Sequence, residues 1–389
     1  MKTINRYFNE ALRVKSGTKV SAGVTKKTEF PETKEELTKI IRNIIEQNDL
    51  KKDAKISLNH IDVSKITNFK ALFAMPNTPG MDAFANAFDS MKLEGNKYHY
   101  FLKVSSVFNG ISSNDFPHNT LPFDISEWDM SNAEDISFMF AGSEVDCDLS
   151  NWDVSNVKSM IGTFAVGEPL FDISKWNVSK VEDMSFLFYY SDFDGDISNW
   201  DVSNVKYMNG MFCFSTFDGN ISKWDVKNVV SMQYMFRRSY FDNDYLSTWD
   251  VSSVEYMNSM FSGSEFNGDI SKWNVSSTKN MKNMFKQSSF DGDISAWDVS
   301  NVETMERMFY KSKYTGENGD IGNWKLNSIK TVDDMFEESN LALSLEGWKP
   351  FMKRMGKKQA FGMFYNIKNQ KFKCPKWYNI QYFRNGFRH

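Results

Sequence analysis

Large apolar residues recur along this chain at a fixed interval, and the polar residues between them recur with them. In one stretch Ile197, Trp200, Val202, Val205, Met208, Met211 and Phe212 are apolar, while Asp196, Ser198, Asn199, Asp201, Ser203 and Asn204 separate them. The next stretch repeats the pattern with Ile221, Trp224, Val226, Val229, Met232, Met235 and Phe236. Tryptophan sets the register. Trp128, Trp152, Trp176, Trp200, Trp224, Trp249, Trp273, Trp297, Trp324 and Trp348 stand 24, 24, 24, 24, 25, 24, 24, 27 and 24 residues apart.

Two periods share each unit. Trp200 and Val202, two apart, fall on one side of an extended strand. Val205, Met208, Met211 and Phe212 have the spacing of one face of a short helix, with Ser203 as a natural N-cap. Ser131/Glu134, Ser179/Glu182, Ser252/Glu255 and Ser300/Glu303 have the capping-box spacing. A Phe-Asp-Gly-Asp turn (Phe193 to Asp196, Phe290 to Asp293) leads into the next unit. One such unit cannot bury both its apolar faces, so the units are expected to stack, like on like, in a continuous core. The expected fold is an α/β repeat solenoid, leucine-rich-repeat-like, with one short parallel strand and one short helix per unit. Ten units at ~4.8 Å give a rod on the order of 50 Å.

The ends depart from the pattern. Residues 1–28 read as an amphipathic helix (Ile4, Tyr7, Phe8, Leu12) and a linker. Residues 29–55 carry a capping helix opened by Thr33 and Glu36, with Leu37, Ile40, Ile41, Ile44 and Ile45 on one side. The repeat array spans 56–348 and starts with Ile61, Val63 and Ile66, where Ile replaces Trp. Residues 74–123 read as degenerate units with an insertion. Residues 349–389 read as an irregular basic, aromatic cap.

The whole chain carries a net charge of −4, yet Lys349 to His389 holds eleven Lys or Arg and no acid, leaving −15 on what precedes. With 34 Phe, 22 Met and 11 Trp, so much large apolar surface must be buried. Cys147, Cys213 and Cys374 have no metal-ligand spacing and read as reduced thiols. No signal peptide and no apolar run of membrane-spanning length is evident, which points to a cytoplasmic or virion-associated location.

The unit Asp-Ile-Ser-x-Trp-Asp-Val-Ser-Asn-Val-x-x-Met-x-x-Met-Phe, as at 196–212 and 293–309, resembles the BspA-like repeat, a relative of leucine-rich repeats. Ile197, Trp200 and Val202 match the leucine positions of that repeat's strand. The flanks, Phe30-Pro31 to Ile45, Trp348-Lys349-Pro350-Phe351 and Pro375-Lys376-Trp377-Tyr378, look like those of phage-encoded members from gut bacteria. The resemblance implies a curved solenoid. Some secreted members act as surface adhesins, a role at odds with the missing signal peptide.

Enzyme signatures are absent, and no cofactor is expected. The histidines His60, His99, His118 and His389 are scattered, with no phosphate loop or nucleophile elbow. Asp192, Asp194 and Asp196 alternate as calcium ligands can, but Asp and Asn also supply the local backbone hydrogen bonds of turns; no metal is expected. Binding information lies where the repeat is broken. Tyr189, Tyr190, Tyr207, Tyr234, Arg237, Arg238 and Tyr256, with Phe214, crowd the middle units, and Tyr and Arg favour hot spots. These observations point to a non-enzymatic module for a protein or glycan partner. A virion-associated component and nucleic-acid binding through 349–389 are the alternatives. No membrane partner is expected.

Overall fold

The computed structural model describes residues 25–48, 55–75, 78, 80–84, 106–108, 120–354 and 360–378. The expected helix and linker at 1–28 lie almost wholly outside them.

Parallel pairing runs from unit to unit, through single bridges that link Asn68, Asp135, Ser159, Asp183, Tyr207, Ser231, Tyr256, Asn280, Thr304 and Thr331 in order. These residues lie in the stretch where the sequence predicts a helix. Around Tyr207 the pattern is complete. The Lys206 N–H donates to the Glu182 carbonyl of the preceding unit at 2.8 Å. The N–H groups of Met208, Gly210, Phe212 and Phe214 donate to the carbonyls of Ser231, Gln233, Met235 and Arg237 in the following unit, at 3.0, 2.7, 3.0 and 2.8 Å. Between them, the N–H groups of Met211, Cys213 and Ser215 turn back to Met208, Gly210 and Phe212 at 3.4, 3.1 and 3.1 Å. The stretch is a ribbon of overlapping β-turns.

The predicted unit helix therefore does not form; residues 120–348 contain no α-helix. The reason is geometric. Overlapping turns that close over three residues also bring Met208, Met211 and Phe212 to one side, so the spacing fits either structure. A two-turn helix is marginal alone, whereas the ribbon gives alternate N–H groups a partner in the next unit. The ribbon needs two left-handed residues per unit, four apart: Phe186 and Tyr190 at φ 61° and 52°, Gly210 and Phe214 at 59° and 59°, Tyr234 and Arg238 at 60° and 52°. They occupy the third position of a turn, where type II geometry requires positive φ.

The predicted strand is also a pair of turns, closed by Trp200 N–H to Ile197 at 3.2 Å and Val205 N–H to Val202 at 2.9 Å. Ser203 is no helix cap. Its N–H donates to Asp201 Oδ1 at 3.0 Å, and Ser198 N–H does the same to Asp196 at 2.9 Å. Two-residue parallel strands appear near the start of the array, β1 (Ile56–Ser57) with β2 (Phe123–Asp124) and β3 (Glu144–Val145) with β4 (Glu168–Pro169).

Rings fill the space inside the turns. Phe73, Phe140, Phe164, Phe188, Phe212, Phe236, Phe261, Phe285, Phe309, Phe336 and Phe364 form one file, neighbours 5.4–6.0 Å apart. Trp224 stacks on Trp249 at 6.4 Å and 8°, and Trp273 on Trp297 at 6.4 Å and 6°. The Val, Met and Phe of every unit are buried with them.

Both ends correct the expectation. The Phe69, Ala71, Phe73 and Met75 N–H groups donate to Asp135, Ser137, Met139 and Ala141 carbonyls. Residues 58–75 thus lie directly against 125–142, and no degenerate unit interposes. Of the intervening residues, Phe108 stacks on Phe123 at 5.8 Å and Phe84 packs against Phe186 at 5.7 Å. At the other end, Asp334, Phe336 and Glu338 N–H groups donate to Phe361, Met363 and Tyr365. Gly362 and Asn366 take the left-handed pair at φ 62° and 56°, and Phe364 extends the ring file. Residues 360–378 repeat the unit pattern and are not an irregular cap. At the front, helix α1 (Lys34–Gln47) starts at Thr33, whose hydroxyl accepts from Glu36 N–H at 3.2 Å, and sinks Leu37, Ile41 and Ile45 into the core.

One surface column alternates in charge. Glu134, Lys158, Glu182 and Lys206 follow each other at successive units, then Val230, then Glu255, Lys279, Glu303 and Lys330. Ion pairs join Glu134–Lys158, Glu182–Lys206, Glu255–Lys279 and Glu303–Lys330 at 3.0, 2.6, 2.7 and 2.6 Å.

Candidate interaction face

The turn ribbon has a second side. Met208, Met211 and Phe212 point into the main core, while the left-handed residues and those just before the second of each pair belong to a separate apolar layer. That layer contains Phe138, Ala141, Ala165, Val166, Phe186, Tyr189 and Cys213, with Phe214 and Tyr234 packed against it. Aromatic residues and glycine alternate at the first left-handed position: Phe138, Gly162, Phe186, Gly210, Tyr234. The alternation is steric. A Cβ on Gly162 would meet Phe138 at 2.6 Å, and one on Gly210 would meet Phe186 at 2.8 Å, so each ring lies across the next unit's glycine.

Along this side the chemistry changes from unit to unit. The first units are small and apolar and are covered by Met81 and Phe84, the latter 5.2 Å from Tyr189. Then comes an aromatic step: Tyr190, 57% exposed, lies 6.1 Å from Phe214. Cations follow. Arg237 lies over Tyr234 and Phe214 at 5.5 and 5.8 Å, Arg238 over Phe214 at 5.5 Å, and Lys286 over Tyr310 at 5.4 Å. Such contacts orient a cation while leaving its hydrogen-bond donors available. Arg307 and Lys311 come next, but Asp334 holds Arg307 at 3.0 Å and Glu338 holds Lys311 at 3.4 Å. Arg237, Arg238 and Lys286 make no ion pair with any described carboxylate. Burial lowers the Lys286 pKa, and the positive charges of Arg307, Arg237, Arg238 and Lys311 lower it further.

Of the residues picked from sequence, Tyr190, Tyr234, Arg237 and Arg238 come together with Phe214. Tyr189 is 2% exposed and forms the floor, so its ring is not a surface contact. Tyr207 and Tyr256 belong to the bridge column and stand apart, two units from each other with Ser231 between. Sequence reading missed Lys286, Tyr310, Arg307 and Lys311. They occupy the same unit positions as Arg237, Arg238 and Tyr234, and aligning the units by the left-handed pair would have found them.

The basic end has no comparable open face among the described residues. Phe364 stacks in the ring file, and Trp377 donates its indole N–H to the Leu345 carbonyl at 3.0 Å. The acidic turns accept backbone N–H groups, and among the described residues no three His, Cys, Asp or Glu are grouped to hold a metal ion. No helix of the described residues is long and apolar enough to cross a membrane.

This is a repeat protein, defined by units paired in parallel at a 24-residue interval. It belongs to the family described as "Mycoplasma protein of unknown function, DUF285", which matches residues 41–171, 102–212, 167–263 and 238–348. The overlapping matches follow the repeated units from the capping helix to Trp348. No curated protein and no solved structure matches the chain.

Proposed function

We propose that the chain is a BspA-like solenoid, related to leucine-rich repeats, that binds a protein or glycan partner without catalysis, through the second side of its turn ribbon. The observation that carries this reading is the break in repetition at Tyr190, Phe214, Tyr234, Arg237 and Arg238. In the core the Trp, Val, Met and Phe positions are filled alike from unit to unit. At the break the residues differ from unit to unit, lie partly exposed, and combine ring surface with cations that have no carboxylate partner among the described residues. Stacked units hold them at fixed separations, which lowers the ordering cost of binding. The flanks of the array support a phage-encoded origin. Packing of Phe364 and Trp377 weighs against base stacking by the basic end.

The test is photo-crosslinking in the native source, with the photoreactive residue placed at Tyr190, at Gln287, or at Lys175 in another column. Adducts from the first two positions and none from Lys175 are the expected result. Adducts from Lys175 alone would move the function to another face.

A further inference from the structure

We propose that the occupant of this face is a short acidic peptide segment, its carboxylates on Arg237, Arg238 and Lys286 and an apolar side chain on Tyr190 and Phe214. This rests on the ribbon face being the binding surface and adds the chemistry of what it binds.

Three observations narrow the ligand. First, the cations are neighbours along the face. A Cβ on Gly263 would sit 3.0 Å from Arg238 Cγ, so the Arg238 side chain runs across that glycine toward the unit bearing Lys286. Ser262 and Gly263 leave the intervening unit without a bulky side chain, and Lys286 lies within the positive field of Arg237 and Arg238. Second, the patch ends on both sides. Downstream, Arg307 and Lys311 are neutralised by Asp334 and Glu338; upstream the surface is aromatic. The four unit steps from Tyr190 to Lys286 span about 19 Å at ~4.8 Å each, the length of about six extended residues at ~3.3 Å. Two or three carboxylates suffice to match the charge. Third, the body is acidic, −15 outside the basic end. A long polyanion such as a nucleic acid would leave the patch within a few nucleotides and meet like charge inside the ~10 Å screening length. A short segment with its acids clustered avoids that repulsion. The aromatic step beside the cations favours a ligand with an apolar side chain next to its acids, which a sulfated sugar lacks.

The experiment is fluorescence anisotropy on the full-length chain with three probes: a labelled peptide series in which one Leu precedes a run of Glu or Asp, a sulfated oligosaccharide, and a single-stranded oligonucleotide. The expected result is that an acidic peptide binds and that raised salt weakens it. Arg237→Ala/Arg238→Ala and Lys286→Ala should each weaken it about tenfold or more, equivalent to about 1.4 kcal/mol, while Arg237→Lys/Arg238→Lys stays within about threefold of wild type. Lys353→Ala/Arg354→Ala, in the basic end, should leave it unchanged. Circular dichroism and the urea midpoint confirm that each variant folds. Tighter binding of the sugar or the oligonucleotide overturns the proposal, as does peptide binding insensitive to the face variants. Absence of binding by every peptide also overturns it, and crosslinks from Tyr190 and Gln287 would then still uphold the face itself.

Discussion

The indole N–H of Trp200 donates to the backbone carbonyl of Ile173, one unit behind, at 3.1 Å. The bond recurs from Trp128, which reaches Leu58 at 3.0 Å, to Trp377, which reaches Leu345 at 3.0 Å. Tryptophan thus fills the core and also gives a second hydrogen bond to a carbonyl that already closes a turn, the Ile173 carbonyl accepting from Trp176 N–H at 3.1 Å as well. Trp200→Phe keeps most of the ring and removes one of the two hydrogen bonds at that carbonyl, the Trp176 N–H remaining, at about 0.5–1.5 kcal/mol. Trp200→Ala adds a cavity and should cost about 3–5 kcal/mol. Trp377→Ala, with a neighbouring unit on one side only among the described residues, should cost less. Urea unfolding of the three variants tests the order; equal losses at Trp200 and Trp377 would contradict it.

Gly210 carries two requirements at once, a φ of 59° and clearance for the Phe186 ring. Gly210→Ala should lower stability by about 1–3 kcal/mol through strained backbone and the clash together. Phe186→Ala removes only the clash. In a double-mutant cycle Gly210→Ala should cost less in the Phe186→Ala background. No coupling would mean that the ring does not set the glycine.

Asp183, a bridge residue, is pushed up to about 6 by burial, against the ordering effect of the Ser185 N–H at 2.8 Å. The folded chain therefore holds this proton more tightly than the unfolded chain does. The group's contribution to stability is full below the unfolded value near 3.8, falls as pH rises toward 6, and is flat above. Asp183→Asn keeps the oxygen that accepts from Ser185 and cannot ionise. It should be more stable than wild type at pH 7, with the gap closing below pH 4. Asp196, lowered by the hydrogen bonds of Ser198, runs the other way, so the difference between the two proteins is the quantity to measure across pH.

The Glu182–Lys206 pair is half exposed on both sides. Solvent screens such an exposed pair, so Glu182→Gln should move the urea midpoint little. Glu182→Lys places a third lysine between Lys158 and Lys206 and should destabilise more at low salt than at 0.5 M. Indifference to salt would remove the column from any electrostatic role.

Much of the fold was legible because one residue type marks the register. The tryptophan interval gave the unit length, and the apolar positions within each unit are the buried ones. Local conformation was not legible, since Val205, Met208, Met211 and Phe212 satisfy a helix and a turn ribbon alike. Only the inter-unit hydrogen bonds decide between them, and those depend on residues 24 positions away. The last unit escaped notice because Trp377 follows Trp348 by 29 residues and lacks the Asp-Ile-Ser lead. The direct contact of residues 58–75 with 125–142 was hidden by a 67-residue gap close to a multiple of the unit. At the interaction face, Tyr190, Tyr234, Arg237 and Arg238 stood out as exceptions to the repeat. Tyr189 lies one position from Tyr190 on the same side of the ribbon and differs in depth, buried as the floor where Tyr190 is exposed, a distinction that no helical reading could make.

The alternation of Glu and Lys down one edge has a period of two units. Removing a single unit by recombination between Glu134 and Lys206 would set like charges beside each other, whereas removing two would restore every pairing. Length variants of this protein should therefore gain and lose segments in doublets there. At Val230, where the alternation is interrupted, single steps carry no such penalty.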